Sequence, residues 1–143
     1  MAAHVRAAAA DARIEEFAGG TPTAEAAAEA IGCEASQIVT SLLFATPQGY
    51  VLALIPGDRR ADPRKVGSDA RIAGPDEVLQ VTGFEPGAVA PFPVSQGVRV
   101  VVDRSLLGHE LVWTGAGSPR HMAAVTPHDL LRLTNAGQAD LVE

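Results

Sequence analysis

The chain has 143 residues, and 47% of them are hydrophobic, which excludes a disordered chain and allows one domain with a real core. Its 17 acidic residues outnumber 11 basic ones, and the net charge of -6 argues against duplex DNA as a partner, because such binding needs many phosphate contacts. The only cysteine, Cys33, excludes an internal disulfide and a cysteine-based zinc site, and we interpret it as a packed thiol.

The N-terminal part predicts two short, alanine-rich helices. Residues 4–18 place apolar side chains near one helical face, and two glycines follow them. A second helix is predicted to begin after the N-cap Thr23 and to end at Gly32, with Glu25 in its first turn. The first residues lack the long apolar core of a secretion signal, and no apolar run approaches a membrane span, so we expect a cytoplasmic protein without a membrane partner.

The middle of the chain predicts β-structure. Residues 38–44 and 50–55 form two apolar, β-branched runs on either side of a Pro-Gln-Gly turn, which is typical of a central hairpin. Further strands are predicted at 98–102, 111–114 and 120–125, with a brief strand at 71–73 and an edge strand at 139–142. Pro75 and the Thr126-Pro127 pair predict helices over 75–81 and 127–133, and Asp103 is expected to cap a helical turn. The prediction is a single α+β domain over residues 1–143, with a mixed, partly closed sheet and flanking helices.

Two other segments carry little regular pattern. Residues 58–65 are the most charged stretch, and four of the 11 bases lie there: Arg59, Arg60, Arg64 and Lys65. They are interpreted either as a solvated loop leading into a short helix or as a local phosphate-binding patch. The long loop over 82–93 contains Phe84 and Phe92, whose rings are expected to hold it against the domain.

No familiar catalytic arrangement stands out. The four histidines are scattered without metal-ligand spacing, and there is no nucleophile elbow, phosphate-binding loop or dinucleotide fingerprint, so no metal or cofactor is expected. His121 is the one histidine considered as a general base, against a packing or surface role. The segment Gly115-Ala116-Gly117-Ser118-Pro119 is either a tight turn between strands or a loop whose uncovered backbone N–H groups bind a ligand oxygen.

Several segments, taken in order, resemble the YbaK/EbsC family of aminoacyl-tRNA deacylases, which is related to the editing domain of bacterial prolyl-tRNA synthetase. The resemblance extends over about residues 23–135 and is carried by 23–27 with Gly32, 37–44, 51–60, 82–92, 102–107, 115–119 and 126–131.

The resemblance implies hydrolysis of a mischarged aminoacyl-tRNA in trans. A synthetase separates side chains that differ by one methylene by only about 1–3 kcal/mol, so a second site must remove its errors. The partner implied is a tRNA acceptor end that carries an amino acid, and a synthetase is a further possible partner. Catalysis is assigned to backbone N–H groups of Gly115 and Gly117, which would stabilise an oxyanion. Substrate contacts are assigned to Thr40, Ser41, Phe92, Ala116, Ser118, Pro119 and His121, and tRNA phosphate contacts to Arg59, Arg60, Arg64 and Lys65.

One position departs from the family's pattern. Where the family has a lysine followed by Thr or Ser, this chain has Thr40 followed by Ser41. Threonine keeps a hydroxyl but lacks the charge and the reach of lysine. The open interpretations are an altered specificity with an arginine or His121 in the lysine's role, a weak enzyme, and a non-catalytic module that binds a ligand or tRNA. An interaction domain of unrelated purpose is a further alternative.

Overall fold

The computed structural model describes residues 13–16, 23–84, 97–115 and 121–143, and for 13–16 and 121 it describes the backbone alone. Four α-helices are described: α1 (Ala24–Ile31), α2 (Pro63–Val66), α3 (Pro75–Thr82) and α4 (Pro127–Thr134). The described strands are β1 (Arg13–Glu16), β2 (Val39–Thr46), β3 (Gly49–Pro56), β4 (Arg71–Ile72), β5 (Val98–Asp103), β6 (Val112–Gly115), β7 (His121–Val125) and β8 (Gly137–Ala139). Short 3₁₀ turns cover Ala35–Gln37 and Arg104–Gly108.

The strands form two sheets that meet at one point. The larger sheet has the order β4-β2-β3-β5-β8; β2 is antiparallel to β3 and β4, whereas β5 is parallel to β3 and β8. The smaller sheet, β1-β7-β6, is antiparallel throughout. A parallel bridge between Ile38 and Trp113 connects β2 to β6 and thereby joins the sheets. The arrangement confirms the predicted α+β domain with a mixed sheet.

Both faces of the larger sheet are packed, because consecutive residues of a strand point to opposite faces and most of those in the central strands are apolar. One face contributes Leu43, Leu54 and Val102 to a core that includes Val112 of β6 and Leu130 of α4. The opposite face contributes a second cluster, which is covered by α2 and by the C-terminal residues: Phe44, Val51, Ala53, Ile55, Val101, Leu141 and Val142. The central hairpin is therefore held from both sides.

The helix ends follow the predicted capping chemistry. The Thr23 hydroxyl accepts a hydrogen bond from Ala26 N at 3.0 Å, and Gly32 ends α1 with a φ of 85°. Thr126 caps α4 in the same way, accepting from Asp129 N at 3.1 Å. These side chains satisfy backbone donors that a helix start leaves unpaired.

Two of the predicted elements are wrong in part. The helix predicted over 4–18 contains a strand at Arg13–Glu16, which pairs with β7, while the rest of that prediction lies outside the described residues. Pairing with β7 outweighs the local helix propensity, because a short isolated helix is only marginally stable even when it is rich in alanine. The edge strand predicted at 139–142 lies instead at Gly137–Ala139, because Leu141 donates its backbone N–H to the Asp103 carboxylate at 2.7 Å.

Candidate active site on the larger sheet

Thr40 lies in a cavity of about 490 Å³ on the face of the larger sheet that α2 covers. Alternation along β2 points Thr40, Leu42 and Phe44 to this one face. Ile55 of β3 and Ile72 of β4 complete an uncharged floor, and the Ile72 side chain is 58% exposed. The remaining lining residues follow β3 or end the chain: Arg59, Arg60, Ala61, Pro63 and Glu143. The cavity thus combines an apolar floor with two arginines and the acidic residue Glu143.

The glycine segment begins on the strand that meets the start of β2. A parallel bridge joins Ile38, just before β2, to Trp113 of β6, and Thr40 and Gly115 each lie two residues beyond it. Gly115 is half-buried at the end of β6 and is not among the residues that line the Thr40 cavity. The bridge therefore places the strand that carries Gly115 beside the start of β2.

Other predicted site residues cannot be placed in the same way. Ala116, Gly117, Ser118 and Pro119 lie outside the described residues, as does Phe92. His121 begins β7 opposite Glu16, and only its backbone is described.

Ser41 does not line the Thr40 cavity. Consecutive residues of a strand point to opposite faces, and the Ser41 hydroxyl is buried on the other side of β2. It has no hydrogen-bond partner in the part of the chain that the structure describes. The two predicted contacts Thr40 and Ser41 therefore belong to different faces of the sheet.

The four predicted phosphate-binding residues differ in how far they are engaged. Lys65 donates to Asp140 Oδ2 at 2.9 Å and to the Val142 carbonyl at 2.7 Å. The bond to the Asp140 carboxylate lowers the pKa of Asp140. Arg64 pairs with Asp62 at 3.3 Å and lowers the pKa of that carboxyl. These two side chains hold the C-terminal segment and the start of α2.

Arg59 and Arg60 both face the cavity, but only one is engaged. Arg59 Nη2 donates to the Glu143 carbonyl at 2.7 Å. Arg60 is exposed and makes no side-chain hydrogen bond or ion pair to a described residue. Arg60 is therefore the cation best placed to bind an incoming anion at this cavity.

Sequence reasoning missed the floor of the cavity. Leu42, Phe44 and Ile55 were expected only as strand residues, although their alternation with Thr40 and the pairing of Thr40 with Ile55 place them on one face. Ile72 could not be found from the sequence, because a two-residue strand has no detectable periodicity.

The described residues offer little other site chemistry. They contain no cluster of His, Cys, Asp and Glu that could hold a metal ion. Burial raises the pKa of the Cys33 thiol, which disfavours a nucleophilic thiolate and agrees with a packed side chain. No helix in the described ranges is both long and apolar enough to cross a membrane.

A mixed sheet with flanking helices defines an α+β domain, and an apolar cavity of the kind that small ligands occupy lies on one face of the sheet. The chain belongs to the aminoacyl-tRNA editing domain family, whose model matches residues 18–133. The resemblance to YbaK-type editing domains is thereby confirmed.

Individual relatives agree with this assignment. A solved structure of a candidate trans-editing enzyme for prolyl tRNA synthetase has a TM-score of 0.91 and 36% identity, covering 99% of this chain and 93% of that one. The uncharacterized protein YwhH of Bacillus subtilis is 35% identical over 82% of this chain and 78% of its own length. The proline–tRNA ligase of Desulfitobacterium hafniense is 31% identical over 83% of this chain, which spans only 23% of the ligase.

Proposed function

We propose that this protein is an aminoacyl-tRNA deacylase that acts in trans, removing an amino acid from a mischarged tRNA. The observation that carries the proposal is the Thr40 cavity, which begins two residues beyond the bridge from β2 to the strand of Gly115, within a chain of the editing-domain family. The partners are the acceptor end of a tRNA and, through it, a synthetase, and the site of action is the cytoplasm. We take residues 1–143 as one editing unit.

In the proposed reaction, the amino-acid side chain enters the apolar cavity and the ester carbonyl lies near Gly115. A water molecule attacks the carbonyl carbon, either directly or after the ester has moved to the neighbouring ribose hydroxyl, and gives up a proton as the bond from that carbon to the ribose oxygen breaks. The ribose oxygen leaves as a hydroxyl after taking up a proton. Backbone N–H groups of Gly115 and Gly117 stabilise the oxyanion, and no side chain forms a covalent intermediate.

The other assigned residues position the substrate. Ala116, Ser118 and Pro119 shape the glycine loop, and Phe92 and His121 border the bound amino acid. Ser41 supports β2 from its opposite face. Among the basic residues, Arg60 contacts a phosphate of the acceptor end, because a guanidinium binds phosphate in a bidentate manner.

Thr40 favours one alternative function. The described floor of the cavity carries no charged side chain, so the positive charge that the family places on β2 is absent from that strand. A non-catalytic module that binds an aminoacylated ligand would also have such a cavity. The two functions differ in the effect of restoring a lysine at residue 40.

The experiment measures deacylation of a panel of mischarged tRNAs by the wild type, Thr40→Lys and Ser68→Lys, with an active editing domain run beside them. Ser68 is exposed and lies outside the cavity, so its variant adds the same charge elsewhere. We expect the wild type to hydrolyse at least one substrate. Thr40→Lys should lower that rate, because the longer lysine side chain occupies part of the cavity that the smaller threonine leaves open.

Two other results would change the assignment. Hydrolysis that is absent in the wild type and present in Thr40→Lys would identify a binding module. No hydrolysis by any of the three proteins, while the reference domain is active, would remove the deacylase proposal.

A further inference from the structure

We propose that a second cavity, with Arg99 as its cation, binds a backbone phosphate of the tRNA acceptor stem. The inference rests on the proposed function, since it extends the same substrate beyond the Thr40 cavity. The second cavity measures about 230 Å³ and lies at the hairpin end of β2 and β3. Its lining residues are Thr46, Gln48, Gly49, Tyr50, Val51, Val66, Gly67, Gly97 and Arg99.

The lining of the second cavity suits an anion. None of the described lining residues is acidic, although acids outnumber bases in the whole chain. Arg99 is exposed and has no ion pair with a described carboxylate, in contrast to Arg64. The side-chain amide of Gln48 is a further donor, and the three glycines leave the backbone uncovered. A guanidinium with neutral donors and no competing carboxylate is the chemistry that recognises phosphate.

The two cavities lie on the same face of the larger sheet. Thr40 pairs with Ile55, and Arg99 is level with Val51 on the neighbouring parallel strand. Val51 and Ile55 belong to one cluster, so Arg99 and Thr40 are on the same side. Thr40 and Thr46 are six positions apart along β2, roughly 20 Å at about 3.3 Å per residue, and the first cavity extends along this strand as far as Phe44, two positions from Thr46 of the second.

Between the cavities lies α2, whose Arg64 side chain is 91% exposed. Arg60 at the first cavity and Arg99 at the second are exposed cations without a described carboxylate partner, and Arg64, which is paired with Asp62, lies on α2 between the cavities; we call these three residues the arginine line. A small free anion could contact only one of these arginines at a time. A nucleic-acid backbone presents a regular row of phosphates, and RNA helices are recognised largely through phosphate and ribose contacts. With the aminoacylated end at Thr40, the arginine line would contact the stem that follows it.

The test compares Arg99→Ala with Arg104→Ala, which removes the same charge from an exposed position outside both cavities. The probe is a deacylated RNA hairpin with the sequence of a tRNA acceptor stem, titrated by fluorescence anisotropy at several salt concentrations. We expect Arg99→Ala to weaken binding roughly 3–10-fold and to reduce the slope of log K against log salt by about 1. Arg104→Ala should match the wild type.

Two additions make the result decisive. Gln48→Glu places a carboxylate in the second cavity without removing an arginine, and it should weaken binding as well. Deacylation of a short aminoacylated oligonucleotide that cannot reach Arg99 should be the same in Arg99→Ala and the wild type, and this assay reports the proposed function separately.

The inference is overturned if Arg99→Ala binds the hairpin like Arg104→Ala, or if the wild type does not bind it. If Arg99→Ala binds a free phosphate ion more weakly than the wild type but binds the hairpin with unchanged affinity, the inference is also overturned, and the second cavity is a site for a free anion. If the wild type does not hydrolyse the short oligonucleotide, the deacylase assignment is removed. The hairpin titration would still decide whether Arg99 contacts RNA.

Discussion

At the scale of single residues, Glu77 connects three elements. Its carboxylate accepts from Tyr50 Oη at 2.6 Å and from both terminal nitrogens of Arg71 at 3.0 and 3.2 Å. The bonds from Arg71 and then Tyr50 lower the pKa of Glu77 to about 2. The charged form of Glu77 therefore links α3 to β3 and β4.

This network predicts a specific pH dependence. A carboxyl whose pKa is lowered by folding stabilises the protein above its ordinary pKa, and the contribution is lost as the pH falls towards the folded value. For Glu77 the loss falls between about pH 4.5 and pH 2. We expect Glu77→Gln to lower the Tm at pH 7 and to flatten the decrease in Tm over that interval.

The control is Asp76→Asn, which removes the same charge from the same helical turn at an exposed position. Thermal melts between pH 2 and pH 7 should separate the two variants. Identical profiles for Glu77→Gln and the wild type would contradict the role assigned to the network.

At the scale of elements, Gly57 sets how closely the end of β3 approaches α1. Its N–H donates to the Ile38 carbonyl at 2.8 Å. A Cβ at this position would lie 2.4 Å from the Ala24 Cβ and 3.0 Å from the Ala35 carbonyl oxygen. The backbone conformation of Gly57 does not require glycine, so the constraint is space alone.

We expect Gly57→Ala to lower the free energy of unfolding by about 1–3 kcal/mol, because the added methyl group forces α1 or the 3₁₀ turn to move. Gly108→Ala is the matched control, since a Cβ there meets nothing within 4 Å. Urea denaturation measures both. A smaller loss for Gly57→Ala than for Gly108→Ala would show that the approach of β3 to α1 is not tight.

The elements also show what the sequence could predict. The hairpin, the capped helices α1 and α4, and strand β5 were predicted within about two residues, because each is determined by local periodicity and by residues at its ends. The strand at Arg13–Glu16 was missed, since its conformation depends on β7, which lies more than a hundred residues later. Local patterns cannot report such a partner.

At the scale of the whole molecule, the core between the two sheets holds the site together. Leu54 is completely buried and belongs to the cluster that joins β2, β3 and β5 to β6, β7 and α4. Thr40 lies on the opposite face of the adjacent strand, and the position of β2 relative to β6 depends on this packing. The relation between the sheets therefore determines the geometry of the candidate site.

We expect Leu54→Ala to lower the free energy of unfolding by about 2–5 kcal/mol, since it removes buried methyl groups and leaves a cavity. Leu79→Ala, at a side chain that is 44% exposed, should cost less than about 1 kcal/mol. Chemical denaturation of both variants provides the measurement. Equal losses would mean that the inter-sheet core is not the main source of stability.

The candidate site itself was only partly predictable. The ordered resemblance pointed to Thr40, and the charged segment pointed to Arg59 and Arg60, which line one cavity, whereas the predicted Gly115 is not among its lining residues. The opposite orientation of Ser41 follows from strand geometry and was overlooked. The structural bonds of Lys65 depend on Asp140 and Val142, which are distant in sequence, so only the fold reveals them.

The bridge between Ile38 and Trp113 has a consequence for the order in which the protein acquires its binding surface. The hairpins β2–β3 and β6–β7 are closed by short connections and can form early, whereas the bridge joins segments 75 residues apart and carries a much larger loop-closure cost. Because β2 and β6 are joined only through that long-range pairing, a partly folded chain with both hairpins intact would still lack the proposed site. Recovery of ligand binding during refolding should accordingly lag behind recovery of β-structure.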